Sequence, residues 1–315
     1  MTQRYDDILA FLEVVKAGSF TAAATRLRVA KSVVSDRVRN LENSLQVELL
    51  RRTTRQVAPT ERGRELYESL APLADGIAQA MDDAAHADGP LLGRLRMTAP
   101  ISFGMEYLTP VITQFALQHP QLEIALDFDD RTIDIIGGGY DLALRIGRLG
   151  DSALMARKLC DSDRVVCCSP AYAKKNGLPK SLSDLAGHAS IDYANAHASR
   201  LWRFEPEKPG GEPRVVETSS RLVVNNGEAM RDMAIAGLGI IVLPRFILAR
   251  AIESGALIEL LPQIKPLPDA IYAVYPPSRH MPRKLRAMID HLAASFAGTP
   301  PWARPAAKAA KKPRK

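Results

Sequence analysis

The stretch GSFTAAATRLRVAKSVVSDRVRNLENSL, residues 18–45, holds two helical patterns separated by only three residues, 28–30. Phe20, Ala23, Ala24 and Leu27 repeat at the spacing of one helix face, and Val34, Val38, Leu41 and Leu45 form the apolar stripe of the next. Upstream, Ile8, Phe11, Leu12 and Val15 mark a first amphipathic helix that stops near Gly18. The alanines at 22–24 have almost no side-chain bulk, so another helix can cross very close to them. The third helix buries one side and turns Ser32, Ser35, Asp36 and Arg39 to the other. This is the pattern of a helix-turn-helix, whose second helix presents its exposed face and N-terminus to a DNA major groove. Hydroxyls and cations there reach base edges and phosphates, which makes Lys31, Ser32, Ser35 and Arg39 the expected readers. Taken alone, the pattern fits an ordinary helical hairpin with a hydrated face nearly as well.

The next segment separates the two readings. LLRRTTRQVAPTERGRELY, residues 49–67, sets Arg51, Arg52 and Arg55 around Thr53 and Thr54, a short β-prone hairpin that can lie along a phosphate backbone. With SFTAAATRL, VVSDRVRNLE and LLRRTTRQVAPTERG, the first 65 residues closely resemble the LysR-type transcriptional regulators. The resemblance implies a winged helix-turn-helix over residues 1–60 that binds double-stranded DNA at a partly palindromic operator. The DNA-facing residues would be Thr21, Lys31, Ser32, Ser35, Asp36, Arg37, Arg39, Arg52, Thr53, Thr54 and Arg55. Three positions depart from the family pattern. Ala30 stands where many members have a serine that caps the recognition helix, a difference of about 0.5–2 kcal/mol. Asp36 replaces a common arginine and brings a carboxylate towards the phosphates, and Pro59 replaces an aliphatic residue.

Residues 60–89 read as a long linker helix. Thr60 is its expected N-cap, and Leu66, Leu70, Leu73, Ile77, Ala80 and Ala84 are spaced as a heptad seam suited to a second subunit. Pro72 predicts a kink. A self-association follows, at least a dimer, and by the family resemblance a tetramer.

From residue 91 strands and helices alternate, in RLRMTAP, LEIALDFDD and YDLALRIG, then DRVVCCS, SRLVVNN and LGIIVLP, with a last strand and helix in DAIYAVYPP and RKLRAMIDHLAASF. That order predicts parallel βαβ units. The α/β body, residues 91–298, resembles the family's effector domain and the type 2 periplasmic binding proteins. The resemblance implies two subdomains, 91–162 with 268–298 and 163–267, around a cleft. Helix N-termini at strand ends offer backbone N–H groups to anions. The expected site for a small effector, anionic or hydrogen-bonding, is therefore Thr98, Pro100, Ser102 and Phe103 on one side and Asn225, Asn226 and Gly227 on the other. Arg145, inside an apolar strand, needs an anionic or carbonyl partner; it either faces the cleft or forms an internal ion pair.

Charge is unevenly divided. Residues 1–65 carry 12 Lys/Arg against 8 Asp/Glu, and residues 304–315 carry 6 against none, while the whole chain is only +7. Basic ends on a slightly acidic body suit a polyanion partner at the ends. Residues 299–315 are expected to be a disordered basic tail, too poor in apolar area to fold. Neither a spanning segment nor a secretory signal is visible, which predicts a cytoplasmic protein without membrane contact. The six histidines and three cysteines lack metal-ligand spacing, and GxSxG, GxGxxG, P-loop and HExxH motifs are missing. No cofactor, no metal and no catalytic activity are expected.

Overall fold

The computed structural model describes residues 2–52, 57–85, 89–150, 152–195, 200–208, 210–278, 281–300 and 302. The chain divides into two compact units, Met1–Gly89 and Pro90–Lys315.

The first unit packs α1 (Thr2–Ala17), α2 (Phe20–Leu27) and α3 (Lys31–Leu45) around Ala10, Phe11, Val14, Ala23, Val34 and Val38. Ser19 caps α2 by accepting from the Ala22 N–H, and α2 ends in a left-handed Arg28 (φ 54°). Ala30 occupies the cap position of α3 in extended geometry and supplies no side-chain acceptor. Leu45, expected in the buried stripe, is instead 39% exposed. It is the last residue of α3, and the chain turns away at the left-handed Gln46 before that turn meets the core. Strands β1 (Leu50–Arg52) and β2 (Val57–Pro59) pair antiparallel as the wing. Thr60 then caps α4 (Glu61–Ala85), its hydroxyl accepting from the Gly63 N–H and donating to the Glu48 carbonyl. Gly63 is required there, because a Cβ would stand 2.0 Å from the Leu49 carbonyl oxygen.

Helix α4 runs through Pro72, which lies inside it. The seam divides: Leu66 and Leu70 pack onto the core of their own unit, whereas Leu73 and Ile77 are exposed together with Met81. One face of α4 is thus committed to this unit as far as Ala74, and an apolar stripe of Leu73, Ile77 and Met81 at i, i+4, i+8 remains exposed.

The second unit has two lobes. The first is a five-stranded sheet in the order β4 (Glu123–Phe128), β3 (Arg94–Ala99), β5 (Leu142–Gly147), β14 (Asp269–Tyr275), β6 (Met155–Ser162). The sheet is mixed rather than parallel. β3 runs parallel to β4 and β5, but β14 is antiparallel to both its neighbours, because the chain re-enters this lobe from the far side. Between β3 and β4 lie α5 (Ile101–Phe103), a π-helical turn (Gly104–Leu108) and α6 (Thr109–Gln118). The core beneath them is completed by α10 (Arg283–Ser295).

The second lobe joins β7 (Arg164–Cys168) antiparallel to β12 (Ile241–Pro244) and β13 (Ile258–Glu259), and β8 (Ala189–Tyr193) parallel to β11 (Ser219–Val224). Strands β9 (Leu201–Phe204) and β10 (Arg214–Glu217) form a hairpin, and α7 (Pro170–Asn176), α8 (Gly227–Ile235) and α9 (Arg245–Glu253) cover the sheets. Asp269 pairs with Ser162, so the two chain crossings between lobes lie side by side as a two-stranded hinge.

The triple glycine has a local cause. Asp134 accepts from the Ile136 and Gly137 N–H groups, and Gly139 adopts φ +65°. A Cβ on Gly137 or Gly138 would meet Asp134 at 2.5 and 2.8 Å. The basic tail begins later than residue 299: Trp302 is buried against Phe103, Tyr107, Phe246 and Phe296, since an indole supplies the apolar area that the preceding residues lack. Residues 303–315 lie outside the described residues. No helix among the described residues is long and apolar enough to cross a membrane.

Candidate functional site

Two surfaces carry functional side chains. On the first unit, α3 buries Val34, Val38 and Leu41 and exposes Lys31, Ser32, Asp36 and Arg39, with Ser35 half-buried between them. Thr21 is exposed on α2. Arg39 and Asp36 form an exposed i, i+3 pair at 3.3 Å, so the anomalous carboxylate has a partner on its own helix. Arg37 faces the other way. Its guanidinium donates to Asp6 on α1 at 2.9 Å and ties the recognition helix to the bundle. Glu42 sets the wing: its Oε1 accepts from the N–H groups of Leu49 and Leu50, at 2.9 and 3.1 Å. Thr53, Thr54 and Arg55, and the side chain of Arg52, lie outside the described residues.

The second surface is a cavity of about 420 Å³ between the lobes of the effector unit. Ser102, Phe103 and Pro100 line it from the end of β3, and Gly227 lines it from the start of α8. Arg145 lines it too, yet both its terminal nitrogens donate to backbone carbonyls, of Arg131 at 3.0 Å and Ile133 at 3.1 Å. Its partner is the loop after β4, and burial holds the guanidinium pKa below its usual value. Thr98 does not reach the cavity: it is fully buried near the end of the interior strand β3, its Oγ1 without a hydrogen-bond partner among the described residues. Asn226 caps α8 by accepting from the Ala229 N–H at 2.9 Å, and neither it nor Asn225 is part of the lining.

Several lining residues escaped the sequence reading: Asp130, Arg148, Arg164, Asp269, Tyr193 and Asn195. Asp130 accepts from the Ile101 N–H at 2.9 Å, and Ser102 donates its hydroxyl to Glu228 in the first turn of α8. The helix start at Ile101 and Ser102 therefore meets two protein carboxylates, while the start of α8 is capped by Asn226. Burial raises the Asp130 pKa, and the nearby Glu228 and Asp129 raise it further. At the hinge, burial raises the Asp269 pKa against the opposing pull of Arg164 and Arg148. Arg164 Nε stands 3.7 Å from the Asp269 carboxylate. Outside the cavity, Glu106 and Arg250 pair at 2.7 Å, and the Tyr107 hydroxyl donates to the Phe246 carbonyl, further links between the lobes. Among the described residues no group of three or more His, Cys, Asp or Glu could hold a metal ion.

Comparison with known proteins agrees with both surfaces. Residues 5–64 match the family described as "Bacterial regulatory helix-turn-helix protein, lysR family", and residues 88–297 match "LysR substrate binding domain". The chain is 38% identical over 287 residues to the HTH-type transcriptional regulator PtxR of Pseudomonas aeruginosa, covering 90% of each protein. Among solved structures it is similar to CrgA, a LysR-type transcriptional regulator from Neisseria meningitidis, with a TM-score of 0.58 and 31% identity over 93% of this chain and 99% of that one. Full-length AphB, a Vibrio cholerae virulence activator of the same family, matches at TM-score 0.57 and 26% identity over 93% and 99%.

Proposed function

We propose, from the fact that this chain belongs to the LysR family of DNA-binding transcriptional regulators, that α3 reads its operator and that the cavity of the effector unit takes the controlling ligand. The observation that carries the first part is the polarity of α3, whose apolar stripe is consumed by the bundle while Lys31, Ser32, Ser35 and Arg39 remain on the outer side. Arg37 serves the bundle through Asp6 rather than the DNA. The exposed Asp36–Arg39 pair is weak in water, so Arg39 can exchange its partner for a phosphate or a guanine edge at little cost.

The protein acts as a homodimer through the exposed stripe of α4, Leu73, Ile77 and Met81, and pairing of two such dimers would give a tetramer. A two-fold protein matches a partly palindromic site. It carries no catalytic activity and works in the cytoplasm, where its operator is. A ligand regulates only if it binds one arrangement of the subunits better than another.

The test is binding to specific and random DNA over a salt series. Ser35→Ala and Arg39→Ala should lower the preference for the operator. Arg51→Ala and Arg52→Ala should weaken both DNAs alike and reduce the salt dependence, because phosphate contacts carry no sequence information. Equal losses on both DNAs for all four substitutions would reject the division of roles. Leu73→Asp should lower the mass measured by light scattering; an unchanged mass would place the subunit contact elsewhere.

A further inference from the structure

We propose that the effector is a small zwitterion, an amino-carboxylate whose amine and carboxylate are separated by a short apolar spacer. The proposal rests on the reading of the cavity as the effector site.

The cavity follows one edge of the five-stranded sheet, and its charges are sorted along that edge. Asp130 comes just after β4, and Pro100 and Ser102 just after β3. Arg145 to Arg148 come at the end of β5, Asp269 at the start of β14, and Arg164 just beyond β6. Strands lie about 4.8 Å apart, so the backbones at β4 and β14 are separated by three spacings, roughly 14 Å.

One end is acidic. Asp130 lines it and accepts from the Ile101 N–H, and Glu228 of the second lobe, outside the lining, accepts from the lining residue Ser102. In each carboxylate one oxygen is engaged, and the other has no hydrogen bond among the described residues. Burial and the nearby Glu228 raise the cost of ionising Asp130, which a bound ammonium would relieve. The other end is basic: Arg164 pairs with Asp269 at 3.7 Å, Arg148 also attracts that carboxylate, and Arg145, held by backbone carbonyls, adds a third cation to the lining. Phe103, Phe246, Ile247, Leu243 and Pro244 supply the apolar part of the wall. An amine set against Asp130, with the Glu228 carboxylate held nearby at Ser102, and a carboxylate set against Arg148 and Arg164 would satisfy both poles. A dicarboxylate would put like charges together at the acidic end.

The experiment uses the full-length protein, with thermal shift followed by titration calorimetry. The probes are ω-amino acids of three to six carbons and 4-aminobenzoate, each compared with the dicarboxylate, monocarboxylate and primary amine of the same skeleton. At least one amino-carboxylate should bind, and its matched partners should bind about tenfold more weakly or less. Glu228→Gln and Arg148→Gln should each weaken that probe by about tenfold. Asp130→Asn serves as the second acidic-end variant if Glu228→Gln fails to fold as judged by circular dichroism. A dicarboxylate that binds as well as its amino analogue, or a failure of every amino-carboxylate to bind, would overturn the proposal. Operator binding by the parent protein without any probe is measured in parallel. Its loss would count against the DNA-binding reading, whereas its retention beside negative titrations would count against the ligand class alone.

Discussion

Glu42→Ala should uncouple the wing from the recognition helix. Its Oε1 accepts from the N–H groups of Leu49 and Leu50, which are 2% and 3% exposed, so water cannot easily replace it. A hydrogen bond to a charged group contributes about 1.5–3 kcal/mol, and two give an upper range of about 3–6 kcal/mol. Glu42 is itself half-buried, and partial solvent access lowers the expected loss to about 2–4 kcal/mol. A unit of this size has a total stability of about 4–13 kcal/mol, so the loss is a large share of it. In temperature it corresponds to a fall of about 8 °C or more in the melting of the first unit.

The two units can be followed separately in the intact chain. Both tryptophans, Trp202 and Trp302, belong to the second unit, so fluorescence reports that unit, while circular dichroism at 222 nm also registers the helical first unit. Glu42→Ala should shift the dichroism transition and leave the fluorescence transition in place. Glu42→Gln keeps an acceptor oxygen and should lose only about 1 kcal/mol. DNA affinity should fall alike on specific and random sequences, because the displaced wing carries phosphate contacts. A Glu42→Ala protein that melts within about 2 °C of the parent, where even 1 kcal/mol would move the transition further, would refute the reasoning.

Three other substitutions or treatments have defined outcomes. Ala30→Ser supplies the absent acceptor at an exposed cap already in extended geometry and should stabilise the first unit by about 0.5–2 kcal/mol, read in the same dichroism melt. Burial raises the thiols of Cys160, Cys167 and Cys168 to about 11, 12 and 11; the native protein at pH 8 should therefore resist a disulfide reagent that labels all three after denaturation, and rapid native labelling would contradict their burial. Asp130→Asn keeps an acceptor for the Ile101 N–H and removes a buried charge. Because the folded pKa of Asp130 lies above 3.8, the folded state holds its proton more tightly than the unfolded chain, and stability is lost as pH rises from there through the folded pKa. The variant should therefore melt higher than the parent at pH 7.5, as the fluorescence transition shows, and the gain should vanish as the pH approaches 4.

The first unit was legible because its structure is local. Helix faces, the three-residue break and the Thr60 cap are all written within a few residues of where they act, and the structure contains them. What the spacing of α4 could not reveal was the division of its seam, since Leu66 and Leu70 obey the same periodicity as Leu73 and Ile77. Periodicity fixes a face of the helix, while the partner of that face depends on where the rest of the unit ends. The requirement at Gly63 is similarly nonlocal, because the obstructing atom belongs to Leu49 in the wing.

The cavity was legible in its location and not in its chemistry. Strand ends followed by helix starts marked residues 98–103 and 225–227, and the sheet edge does carry the cavity there through Pro100, Ser102, Phe103 and Gly227. The step from helix start to anion site takes no account of carboxylates that the chain itself brings there. A helix start attracts whatever negative group can reach it, and here the chain supplies its own, with Asp130 at Ile101 and Glu228 across the cleft at Ser102. Those contacts join residues 29 and 126 positions apart in sequence, beyond the range of any local pattern. Once they are made, negative side chains stand at this helix start, and the cations Arg148 and Arg164 lie instead by Asp269 at the hinge. The two carboxylates at Ile101 and Ser102 thus occupy the donors that this helix start would otherwise offer an anion, and on the proposed reading of the cleft they favour a hydrogen-bond donor or a cation there.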